Sequence, residues 1–92
     1  MAAQDNQTSG ILDLAAISER CARATAGPWK SYIEGRDHTS GSNFIMTCGE
    51  DIELLGATGA DQDFIAHARQ DIPLLLAEID RLMAANKVLS GR

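Results

Sequence analysis

Apolar residues recur at three- and four-residue steps near both ends of the chain and alternate with polar ones between them. The first row is Ile11, Leu14, Ile17 or Ser18, and Cys21, which predicts an amphipathic helix across SGILDLAAISERCARATAG. Ser9 is its predicted N-cap, and Asp13 suits the positive end of the helix dipole. Arg20 and Arg23 suit the negative end. Gly27 is the expected left-handed C-cap, and Pro28 forbids continuation. Residues 1–8 are polar and are expected to form a disordered tail, leaving 9–92 as one α+β domain.

Trp29, Ser31 and Ile33 then alternate with Lys30, Tyr32 and Glu34, which predicts a strand. The segment RDHTSGSN reads as a loop. NFIMTCGEDIELLGAT predicts two more strands joined at GED. Phe44, Met46 and Cys48 are expected to share a face, with Ile52 and Leu54 on the returning strand. TGADQDFIAHARQ predicts a helix capped by Asp61, with Phe64, Ile65 and Ala68 inward. DIPLLLAEIDRLMAANKVLSG predicts a separate last helix, capped by Asp71 and with Pro73 in its first turn. The expected fold class is therefore α+β: an N-terminal helix, a small three-stranded antiparallel sheet and two C-terminal helices.

The last helix has the clearest periodicity. Ile72, Leu75, Ile79, Leu82, Asn86 and Leu89 fall on a and d positions of a heptad, with Asn86 at an a position, where it can fix register. Leu74 and Leu76 widen the stripe, so part of it is expected to face the protein's own sheet. Such a helix serves a core or a self-association seam, and composition tips the balance. A chain of 92 residues buries a modest fraction of its surface. About a third of its hydrophobic residues are alanine, which buries little area, and its aromatics are one Trp, one Tyr and two Phe. A core this thin implies a homo-oligomer joined through those six positions.

The net charge of −5 is concentrated in residues 50–71, where six carboxylates face only Arg69. That distribution excludes a duplex nucleic-acid binder, which needs a basic footprint. It permits a small anion held by a few arginines, or an acidic face set on a basic protein partner. The first ten residues lack the apolar segment of a signal peptide, and no apolar run approaches the ~18 residues of a membrane span. Two cysteines without such a signal read as free, buried thiols of a cytoplasmic protein. Cys21, Cys48, His38 and His67 match no zinc spacing, so neither a metal nor a cofactor is expected.

No catalytic pattern stands out. GATGAD lacks the lysine of a phosphate loop, and no serine sits in a G-x-S-x-G turn. Asp61 and Asp63 fit a helix N-terminus for its own sake, and neither His38 nor His67 has a group to orient it. The chain therefore reads as a non-enzyme. Its candidate ligand residues gather around the single tryptophan. An indole face stacks a base, and Arg20 and Arg23 lie just before Trp29 to hold phosphate through paired hydrogen bonds. Thr58 and Gly59 precede a helix whose N–H groups can receive an anion. The alternative is that Trp29 fills the core and the arginines are solvated.

Two stretches resemble a known family. ATAGPW after a helix is similar to the ATPGPW signature of the Ead-like small accessory proteins of tailed phages and prophages. DQDFIAHARQDIPLLLAEIDRL is similar to their NADFIAAARTDVPALLAEVERL segment. The likeness spans residues 11–30 and 61–84, with Ala26 where the family carries proline. The matching positions are Gly27, Pro28, Trp29, Asp63, Phe64, Ile65, Ala66, Ala68, Arg69, Asp71 and Pro73. The resemblance implies a phage protein acting in the cytoplasm of a bacterial host. Small phage accessory proteins commonly counter host defences, some as oligomeric sponges for cyclic or ADP-ribose-type nucleotide signals, others by blocking a defence protein. On that reading Trp29 stacks a base, Asp63 reads its edge and Arg69 meets phosphate. The rival reading is an inhibitor that covers a host defence enzyme with its acidic 50–71 surface.

Overall fold

The computed structural model describes residues 12–37 and 41–90. The expected tail, the Ser9 cap and His38 lie outside the described residues. The chain is α+β, with helix α1 (Leu14–Arg23), strands β1 (Lys30–Tyr32) and β2 (Phe44–Met46), and one long helix α2 (Gly59–Ser90).

Helix α1 begins one turn later than the apolar row suggests. Asp13 is its N-cap, and its carboxylate accepts the Ala16 N–H at 3.0 Å. The helix ends at Ala24 in extended backbone, three residues before Gly27. Gly27 is not among the glycines with positive φ. Its value is space: a Cβ there would meet Gln70 Oε1 at 3.3 Å and Arg69 Cγ at 3.4 Å. The Gly27–Pro28 peptide is cis.

The sheet has two antiparallel strands in the register Lys30↔Met46, Ser31↔Ile45 and Tyr32↔Phe44. The expected third strand is reduced to one bridge, in which Ile45 and Ile52 exchange both backbone hydrogen bonds at 2.8 and 2.9 Å. Thr47 explains why pairing stops there. Its hydroxyl donates to Glu50 O and accepts from Gly49 N, which turns the chain locally instead of extending the ladder. The chain then swings away through Gly56 at φ 81°. Ile45 and Ser31 are buried under the helix side of the sheet, while Met46 is exposed and Phe44 stacks on Tyr32 with ring centroids 5.2 Å apart. Cys48, expected to be buried, is exposed because the chain has already turned out of the ladder at Thr47.

The two expected C-terminal helices are one. Thr58 and Asp61 form a reciprocal capping box, each side chain accepting the other's backbone N–H at 3.0 Å. Thr58, not Asp61, is thus the cap. Asp71 caps nothing, because the helix runs through Pro73. Proline keeps a helical φ and removes one N–H, the one that would reach Arg69 O, at a cost of about 3 kcal/mol. The contacts of α2 with the sheet offset that cost, and the Ala- and Leu-rich turns that follow have high helix propensity.

Those contacts are made largely by amides. Gln62, Ala66 and Gln70 share one face of α2, and Gln62 and Ala66 are buried. Gln62 Nε2 donates to Ser31 Oγ, Tyr32 O and Phe44 O at 2.8, 3.1 and 3.0 Å. Gln70 accepts the Trp29 N–H at 2.6 Å and donates to Trp29 O at 3.2 Å, much as a neighbouring strand would. Phe64, expected inward, is 75% exposed, since it lies on another side of the helix. Among the described residues only Ile45 and Ala66 are fully buried apolar ones.

The second half of α2 leaves the body. Every residue from 80 to 89 is exposed. The molecule measures 59 × 32 × 21 Å, and its radius of gyration is 17.3 Å against about 12 Å for a compact chain of this length. No described helix is long and apolar enough to cross a membrane.

Candidate functional site

Trp29 follows the turn that joins α1 to β1, and three hydrogen bonds fix it. Gln70 holds its backbone, and its indole Nε1 donates to Thr25 O at 2.9 Å. The same carbonyl accepts from Arg69 Nε at 3.0 Å, so the indole and the Arg69 guanidinium are set on one atom. The ring is half-buried. One of its sides lines a cavity of about 240 Å³ between α1 and α2, with Arg20 from the last turn of α1 and Arg69 from α2. Ile17, Cys21, Ile65 and Ile72 are among its apolar walls.

Three of the six expected ligand residues therefore meet: Trp29, Arg20 and Arg69. Arg20 is exposed, Arg69 half-buried, and among the described residues neither is in an ion pair. Two uncompensated guanidiniums beside an apolar slot favour an anion attached to a flat, weakly polar group. The volume admits one flat ring of about the size of a nucleobase.

The other three expected residues are engaged elsewhere. Arg23 pairs with Glu19 at 2.8 Å on the open surface, a contact worth roughly 0–1 kcal/mol. The Thr58 hydroxyl caps α2 and lines neither cavity that Trp29 lines. Asp63 accepts two hydrogen bonds from Arg36, at 2.8 and 3.2 Å. Arg36 also contacts Asp37, whose carboxylate in turn accepts the Ile33 N–H at 2.8 Å. This cluster ties the turn after β1 to α2. The Arg36 hydrogen bonds, with a smaller contribution from the Ser31 hydroxyl, hold the Asp63 carboxyl at about 2 against an ordinary 3.8. Asp37 is lowered too, first by Arg36 and then by the Ile33 N–H, and Arg36 is raised by both carboxylates.

The cluster forms one wall of a second cavity of about 560 Å³ on another side of Trp29, with Lys30 and His67 also lining it. His67 Nδ1 lies 2.9 Å from Asp63 O. Arg36, Asp37 and Asp63 compensate one another and Lys30 lies over the Tyr32 ring, 5.5 Å from its centroid, so the cluster reads as a structural clamp. A third hollow, about 500 Å³, is lined by Leu54, Leu55, Asp61, Phe64 and Ile65. Among the described residues no group of three His, Cys, Asp or Glu stands ready for a metal ion.

Sequence reasoning missed the apolar walls, Ile17 and Ile65 above all, and the two glutamines that position Trp29 and its strand. The four-residue spacing of Gln62, Ala66 and Gln70 was the available signal. No family model, no curated protein and no solved structure matches the chain.

Proposed function

We propose that this protein binds a small nucleotide, of the cyclic or ADP-ribose type, and holds it without turning it over. The observation that carries the reading is the convergence of Trp29, Arg20 and Arg69 on one cavity. The base lies in the apolar slot against the indole, and the phosphates lie toward the two guanidiniums. Nothing in the site resembles a nucleophile beside a base, which favours retention over chemistry. The resemblance of residues 11–30 and 61–84 to Ead-like phage proteins supplies the setting: a phage protein in the bacterial cytoplasm that sequesters a nucleotide immune signal. An assembly of several copies through residues 72–89 belongs to the same reading.

Calorimetric titration with ADP-ribose and with a cyclic dinucleotide tests it. Binding is expected for at least one, weakened about tenfold or more by Arg20→Ala or Arg69→Ala, which each remove a charged hydrogen-bond donor. Trp29→Ala is expected to abolish it. Unchanged affinity in a folded Trp29→Ala variant would sink the proposal.

A second reading has its own observation. Leu55 and Phe64 are 104% and 75% exposed and line one hollow with Asp61, in a span that also carries the exposed Glu50, Asp51 and Glu53. An exposed apolar pair within an acidic stretch of the chain suits a basic protein surface with an apolar hot spot. On this reading the chain inhibits a host defence enzyme through its 50–71 face. Its mark is a captured protein partner that is lost with Phe64→Ser and at raised salt, while Trp29→Ala leaves it bound.

A further inference from the structure

We infer that two copies of this chain pair through α2 in antiparallel orientation, about a point between Asp80 and Arg81, with their folded ends at opposite tips. The inference takes up the seam read from the heptad and gives it a partner orientation, a register and a shape.

The a/d row of α2 runs further toward the N-terminus than Ile72. Ile65, Ala68 and Ile72 lie on it and face the cavity shared with Ile17 and Cys21 of α1 and with Ala24 at its C-cap. Helix α1 thus covers the first part of the row. Beyond it the apolar row is largely open: Leu75, Leu82 and Leu89 are 60%, 51% and 66% exposed, and Ile79 is half-buried. Met83 at 57% and the half-buried Leu76 widen it along the e positions. The exposed stretch is about 21 Å long, an apolar strip of a kind monomeric surfaces rarely leave open.

Charge sets the direction. Asp71, Glu78 and Asp80 lie on the N-terminal side of the centre, and Arg81 and Lys87 on the C-terminal side. Glu78 and Arg81 pair within the helix at 2.6 Å, and Asp80 and Lys87 fall on outer b positions, so the charges of the two halves act across the pair through their field and not by contact. A parallel pair would set acid on acid and base on base, whereas an antiparallel pair opposes them and also opposes the helix dipoles. Space agrees. In a parallel pair both α1 helices would lie at one level on the seam side, whereas an antiparallel pair needs the row only from its free part onward.

In this register Ile79 packs on the partner's Leu82, and Ile72 on Leu89 of the partner subunit. Leu75 against the partner's Asn86 is the one mixed layer. Because Ile72 also lines the Trp29 cavity, each subunit closes the far end of the other's cavity wall.

Small-angle scattering on the eluting peak of a sizing column tests this without any nucleotide, so its outcome is separate from that of ligand binding. The wild-type chain is expected at twice 9.8 kDa. Its longest dimension should be about 90 Å, two 59 Å molecules overlapped along residues 72–89. The variant Leu82→Asp with Leu89→Asp replaces exposed residues, so it should keep its helical circular dichroism and run as a monomer. A wild-type monomer at high micromolar concentration would overturn the inference. So would a dimer only about 60 Å long, the parallel shape, or a folded double variant that stays dimeric.

Discussion

Two glutamines do what a hydrophobic pattern assigns to leucines. Gln62 is 3% exposed and serves three acceptors, two of them strand carbonyls. Replacing it with leucine fills the space but leaves those acceptors unpaired, so Gln62→Leu should lose about 3 kcal/mol in urea unfolding. A loss under about 1 kcal/mol would mean that water takes over the role. Asp63 offers a test of a different kind. Its folded pKa lies below the ordinary value, so its contribution is full above about pH 4 and is lost as pH falls through about 2. Asp63→Asn should flatten the decline of stability across that window, while ligand affinity at neutral pH stays the same. The family resemblance gives Asp63 a base edge to read; the geometry gives it Arg36. That assignment was not legible in sequence, because Arg36 lies 27 positions away across a loop.

At the level of elements, the sequence carried more of the helices than of the sheet. The row through Leu14, Ile17 and Cys21 and the strand after Pro28 are in the structure, whereas the helix stops at Ala24, before the expected Gly27 cap. The sheet lost its third strand to a side-chain bond of Thr47, a competition that alternation of apolar residues does not register. The break before Ile72 failed because Asp-x-Pro fits a helix start and an uninterrupted helix equally well at the level of pattern. If α2 tolerates Pro73 only through its docking and its flanks, Pro73→Ala should restore the hydrogen bond to Arg69 O and raise stability by about 1–3 kcal/mol. A fall in midpoint would show instead that the proline shapes a needed bend. The site itself was half legible: the contiguity of Arg20 with Trp29 pointed to the turn, and Arg69 arrived through the family motif. The walls were hidden, since α1 and α2 meet only in three dimensions.

The molecule as a whole is a small folded end carrying a protruding helix. Its thin core, foreseen from the alanine content, leaves stability and solubility to whatever covers residues 74–89. The central claim is that the folded end keeps a nucleotide. Native mass spectrometry of the protein freshly purified from phage-infected cells with active defences tests it most directly, since one spectrum reads both subunit number and retained mass. The account predicts an oligomer that carries extra mass of nucleotide size, released on denaturation and missing from Trp29→Ala. An assembly with no added mass, from cells in which the signal has been shown to accumulate, would contradict it and turn attention to Phe64 and a protein partner.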